Sequence, residues 1–137
     1  MKITICTWIG IVGSFIAGLF GGWSSGMTTL VICMAVDYTS GLIVAGVFKR
    51  SPKSETGALE SRAGFKGLCR KCMVLLFVLI AYRLDLTFGP EYIRDAVVIG
   101  FISNELISIV ENAGVMGIPV PKKLRQAIDI LKEKTEE

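Results

Sequence analysis

Residues 3–36 read ITICTWIGIVGSFIAGLFGGWSSGMTTLVICMAV, 34 positions between Lys2 and Asp37 without a single charged side chain. A soluble core does not need such a run, whereas a bilayer does. A helix crosses the roughly 30 Å hydrocarbon layer in about 20 residues, so this stretch is too long for one span. The run Gly21-Gly22-Trp23-Ser24-Ser25-Gly26 breaks it near the middle. The pattern predicts a hairpin of two helices, about 3–20 and 27–48, with Asp37 near the centre of the second. A secretory signal peptide is the competing account of the first 25 residues. It would want a more basic start and a small-residue cleavage site followed by polar sequence. Here the chain turns straight into another apolar helix.

The rest of the chain reads outward from this hairpin. The 137 residues are 52% hydrophobic and 20% charged, with a net charge of +3, a mean hydropathy of +0.60 and no histidine. Soluble domains run closer to about 25% charged. Charge is also uneven, with nine charged residues packed into Lys49–Lys71. A third apolar stretch, about 68–88, reaches spanning length only if Arg70, Lys71 and Arg83 snorkel to the interfaces. A fourth, about 95–112, is interrupted by Glu105. A basic loop (49–67) separates the two pairs, and an amphipathic tail (121–137) closes the chain. The expected fold is all-α: one membrane domain over 1–137 with three to four transmembrane helices and a short C-terminal amphipathic helix.

Lysine and arginine in short loops set orientation. Lys49, Arg50, Lys66, Arg70 and Lys71 in the loop, and Lys122 and Lys123 in the tail, predict that both segments are cytoplasmic. These residues are candidate topology signals and contacts for anionic lipid headgroups. The connection 83–95 is more acidic and belongs outside. Four spans with both termini inside satisfy this, and so does a three-span form with the first helix outside or lying on the membrane. Trp23, Tyr82 and Tyr92 would then form an aromatic belt at the outer interface. Flanking two spans, the basic loop is a topology signal rather than a nucleic-acid patch.

Catalytic chemistry finds no foothold. The lack of histidine removes the commonest general base and the commonest zinc ligand. Cys69 and Cys72 have CxxC spacing, but a zinc site needs two more ligands, and Cys6 and Cys33 fall inside predicted spans. The glycines around Gly64 and Gly67 do not form a phosphate-binding loop, and no nucleophile–base pair is present. No catalytic residue, metal or cofactor is expected.

Three other features look selected. Gly10, Ser14, Gly18 and Gly22, with Gly13, Ala17 and Gly21, form two rows at a spacing of four in the first helix. Such faces let helix backbones approach closely in lipid, within one chain or between chains. Asp37 is the second feature, with Ser40, Gly41 and Ala45 continuing its face. A carboxylate at mid-span costs about 2.5–3.5 kcal/mol on insertion scales, so it should meet water or a partner. It serves either a transport path or a hydrogen-bonded helix contact. Third, Asn104, Glu105, Ser108, Glu111 and Asn112 line one side of the fourth segment, opposite Ile99, Ile102, Leu106 and Ile109. That polar face can line an aqueous lumen, lie in the interface, or be shielded within a bundle.

Three segments resemble the toxin-secretion and phage-lysis holins, small membrane proteins found mainly in phages of Gram-positive bacteria. They are Ala35-Val36-Asp37-Tyr38-Thr39-Ser40-Gly41, then Gly64-Phe65-Lys66-Gly67-Leu68-Cys69-Arg70-Lys71 leading into an apolar span, and Ser103-Asn104-Glu105-Leu106-Ile107-Ser108-Ile109-Val110-Glu111-Asn112 followed by Gly117-Ile118-Pro119-Val120-Pro121-Lys122-Lys123-Leu124. The resemblance covers roughly residues 30–131. It implies a multi-pass protein of the bacterial host's cytoplasmic membrane that associates with itself. The lesion it forms would release an endolysin or a large toxin as cargo and dissipate the membrane potential. A small dimeric four-helix transporter or ion channel is the alternative, and a structural membrane adaptor is a third.

Overall fold

The computed structural model describes residues 1–136, and these are all-helical with no strand. Five helices follow one another: α1 (Lys2–Leu19), α2 (Ser25–Ile43), α3 (Ser61–Phe88), α4 (Ile93–Val115) and α5 (Lys122–Glu136). A π-helical turn, Val44–Phe48, extends α2, and Lys49 ends it in the left-handed region at φ 52°. Two segments are long and apolar enough to cross a membrane, Lys2–Leu19 and Ser25–Phe48.

The hairpin break lies where the glycines predicted it. Ser24 caps α2 by accepting a hydrogen bond from the Met27 amide at 3.2 Å, which satisfies one of the orphan donors of a helix start. Gly21 and Gly22 continue the four-residue spacing of α1, yet they lie in the turn at φ +83° and +87°. Both are there for backbone conformation.

α4 is the centre of the molecule and packs against α2, α3 and α5. The core joins Met27, Leu30, Cys33 and Met34 of α2 to Val78 of α3 and to Val98 and Ile102 of α4. Phe77 and Phe101 stack beside it, with centroids 6.2 Å apart. The spacing of three and four in Met27, Leu30, Met34 and Asp37 turns one stripe of α2 inward. α1 differs: none of its residues is buried, and Trp8, Ile9 and Phe15 are exposed. Phe20 and Gly21, just past its end, touch the bundle.

One boundary differs from the sequence reading. α3 begins at Ser61 rather than near 68. Arg62, Ala63, Lys66 and Leu68 are good helix formers, so the helix continues into the basic segment although hydropathy falls there. α5 neither projects from the bundle nor lies across its end. It runs back along α4, with Ile128 buried and Leu131 against the core. Its Thr135 hydroxyl lies 3.5 Å from that of Ser103.

Candidate functional site

Three helices each contribute one charged group to a single buried cluster. Lys71 of α3 donates to Asp37 of α2 at 2.8 Å and to Glu105 of α4 at 2.7 Å. The side chains of Asp37 and Glu105 are 7% and 8% exposed and that of Lys71 is 15%, so the cluster is largely shielded from solvent. Counted as ions, two carboxylates and one ammonium leave a net charge of −1. Burying such groups is tolerated only when they are paired and hydrogen-bonded.

The remaining acceptors of Asp37 are met from α4. The Asn112 amide lies 3.3 Å from the Asp37 carboxylate, 3.3 Å from its backbone carbonyl and 2.8 Å from the Ser40 hydroxyl. Ser40 also donates to the Asp37 carbonyl at 3.0 Å. Gly41 lies beside this contact: a Cβ there would sit 3.9 Å from the Asn112 nitrogen, an ordinary van der Waals distance.

A cavity of about 400 Å³ leads from the cluster to the loop between α2 and α3. Asp37, Lys71 and Glu105 lie at one end, and Ser51, Lys53 and Glu60 at the other. Toward the α1–α2 turn, the apolar core of Met27, Leu30, Val78 and Val98 closes the bundle. The cavity therefore gives the charges access from the side of the α2–α3 loop.

The opposite end is fastened by a second polar set. Asp85 accepts from the amides of Ile93 and Arg94, both at 2.9 Å, and so caps α4 across the α3–α4 connection. The Arg94 guanidinium donates to the Gly21 carbonyl at 3.0 Å, the Gly22 carbonyl at 3.3 Å and the Ser24 hydroxyl at 2.8 Å. The Tyr82 ring lies against Gly21. Trp23, whose indole donates to Thr28 at 2.9 Å, belongs to the same end, with Tyr92 next to the α4 start.

The polar residues singled out in the sequence thus separate into groups. Asp37, Glu105 and Asn112 are buried and satisfied inside one chain. Asn104, Ser108 and Glu111 line the cavity, with Asn104 and Glu111 exposed. Lys71, expected to face lipid headgroups, points into the bundle, whereas Lys49, Arg50, Lys66, Arg70, Lys122 and Lys123 are exposed. Of the small-residue positions, Gly41 and Ala45 face the interior of this chain. At Gly10, Gly13 and Gly18 a Cβ would meet nothing within 4 Å, and Ser14 is exposed beside them.

Asp85 and Arg94 carry roles that the sequence reading missed, as does Lys71. Lys71, Val74, Val78, Ala81 and Asp85 recur at helical spacing on one stripe of α3. That stripe was the available signal that Lys71 and Asp85 turn inward with the core.

Comparison with known proteins matches residues 14–133 to the bacteriophage holin family. An uncharacterized protein of Halalkalibacterium halodurans is 41% identical over 128 residues, covering 89% of each chain. One from Listeria monocytogenes is 38% identical over 126 residues, 91% of this chain and 84% of its own. A third, an uncharacterized 14.9 kDa protein in the nagH 3' region of Clostridium perfringens, is 35% identical over 125 residues, 90% and 89% of the two chains. No solved structure matches. A family match over most of the length, together with relatives of this similarity, establishes that the chain belongs to the bacteriophage holin family.

Proposed function

We propose that the chain is a holin: copies insert into the bacterial cytoplasmic membrane, associate, and form a lesion that releases an endolysin or a large toxin and dissipates the membrane potential. Family membership supports a holin-like, membrane-located and non-enzymatic role. The observation that carries the finer reading is the contrast between the internally paired charge cluster and the bare first helix. Asp37, Lys71 and Glu105 neutralise most of one another's charge inside α2–α4, so this unit can enter lipid without presenting them. α1 has no buried residue and carries Gly10, Gly13 and Gly18 in open space, a surface suited to close helix approach between copies.

In this reading α1 to α4 all cross the membrane, with the α1–α2 turn and the α3–α4 connection outside. The loop 49–60, the start of α3 and the α4–α5 connection lie on the cytoplasmic side. Lys49, Arg50, Lys66 and Arg70 then face the anionic headgroups of the inner leaflet. Expression of the chain in bacteria, followed with a potential-sensitive dye and by assay of a cytosolic enzyme in the medium, tests this. Loss of potential with enzyme release supports a lesion; an intact potential, with the enzyme still retained after a depolarising agent is added, contradicts it.

The cavity favours a second reading, a small dimeric transporter or channel in which the charged cluster is the floor of an access path. Flux of a small ion through vesicles that retain folded protein would support that alternative.

A further inference from the structure

The seat of α5 on α4 is slight. Ile128 is buried and Leu131 half-buried, but Leu124 and Ala127, which continue the same stripe, stay exposed. Among the described residues, the single side-chain hydrogen-bond contact from α5 to the bundle is that of Thr135 with Ser103, at 3.5 Å. Beside it, a Cβ on Gly100 would stand 3.4 Å from the Thr135 methyl. Docking on α4 therefore leaves part of the apolar stripe uncovered.

The charges of α5 are ordered around that stripe. Helical spacing puts Arg125 and Lys132 on one flank of Leu124, Ile128 and Leu131, and Lys123 and Lys134 on the other. Asp129 and Glu133 fall on the far side. All of these charged residues are exposed. Among the described residues none of them is in an ion pair, because both salt bridges belong to Lys71. An apolar stripe with basic flanks and acids behind it suits a helix lying in an anionic headgroup layer.

The docked position conflicts with a spanning α4. Gly100 lies about 22 Å from the Val115 end of α4, at 1.5 Å per residue. With α4 across the bilayer, a docked α5 would carry Lys132, Glu133 and Lys134 to the depth of the hydrocarbon. Charged side chains there require water or protein partners. We propose that α5 changes surface when α4 inserts: the stripe of Leu124, Ile128 and Leu131 leaves α4 and binds the anionic lipid surface of the cytoplasmic leaflet. Lys123, Arg125, Lys132 and Lys134 then meet headgroup phosphates from both flanks. The inference rests on the spanning reading of α4 above and names the partner of the tail.

The full chain with a photoreactive benzophenone amino acid in place of Leu131, reconstituted in vesicles, tests this. In vesicles of phosphatidylcholine with phosphatidylglycerol, the α5 peptide recovered after illumination is expected to carry lipid. The yield should fall about fivefold or more on phosphatidylcholine alone, because one basic residue near an anionic surface is worth about that factor. It should fall likewise when Arg125→Glu and Lys132→Glu are combined. Adducts to the Gly100–Ser103 segment of α4 in the anionic vesicles overturn the proposal. So does a lipid yield indifferent to either change. A glutamate-specific protease added outside the vesicles reads the underlying topology. Cuts at Glu91 or at Glu133, never both in one molecule, uphold the spanning reading whichever way the adducts fall. Cuts at both in the same molecule show that α4 does not span, and overturn that reading together with this one.

Discussion

The ammonium of Lys71 stands 2.8 Å from the carboxylate of Asp37 and joins α3 to α2 across 34 positions of sequence. Glu105 takes a second donor of the same ammonium from α4, so one cation holds two helices that each carry a buried acid. Replacing it by an apolar residue leaves both carboxylates buried without their counter-charge.

Lys71→Met should therefore destabilise the bundle by about 3–5 kcal/mol, the range for removing one partner of a buried ion pair. Asp37→Asn should cost less, because it leaves Lys71 and Glu105 as a one-to-one pair. Thermal unfolding in detergent micelles, followed by helical circular dichroism, reads the order. Equal melting temperatures for Lys71→Met and the unaltered chain would remove the cluster from the account of the fold.

At the opposite end, Gly21 and Gly22 make different demands. Both have positive φ, which costs a residue with a Cβ about 1–3 kcal/mol. Gly21 also has the Tyr82 ring 2.5 Å from where that Cβ would stand, and Gly22 has nothing within 4 Å. Gly21→Ala should thus lower stability more than Gly22→Ala in the same micelle assay. The reverse order would contradict the packing of Tyr82 on the turn.

Asp85 and Arg94 should act locally. Asp85→Ala removes the acceptor for the first two amides of α4 and should cost about 0.5–2 kcal/mol, as for other helix caps. Arg94→Ala frees the carbonyls of Gly21 and Gly22. Amide exchange should then quicken at Ile93–Arg94 for the first variant, and proteolysis should quicken at Gly21–Ser24 for the second. Unchanged exchange at α4 would show that Asp85 does not hold it.

For α1 the expected effect is on assembly rather than on the fold. Gly10 and Gly13 have open space around them, so Gly10→Leu and Gly13→Leu should leave helix content and melting temperature unchanged. If α1 packs between copies, both substitutions should reduce chemical cross-linking in membranes and delay the loss of membrane potential. Undiminished cross-linking would assign self-association to another surface.

The two apolar helices and the break between them were legible because nothing competes with their signal: a charge-free run holds a glycine turn. That Asp37 must meet water or a partner was legible from the cost of a carboxylate in lipid, but which of the two, and which partner, was not. Basic residues near a span are read as surface topology signals, and only the stripe from Lys71 to Asp85 shows that this lysine shares a face with Val74 and Val78. The polar face of α4 was recognised, while its closure by α2 and α3 depends on tertiary pairing that periodicity does not encode. The same holds for α5. Its amphipathic spacing shows that one stripe seeks an apolar surface, and both a membrane interface and α4 satisfy that need.

The central claim is that assembled copies open a path for folded proteins. Purified chain reconstituted into vesicles loaded with a small dye and a folded enzyme tests it most directly. The account predicts that both contents escape together once the protein density passes a threshold. Escape of the dye with full retention of the enzyme at every density would contradict it and favour a small channel or transporter.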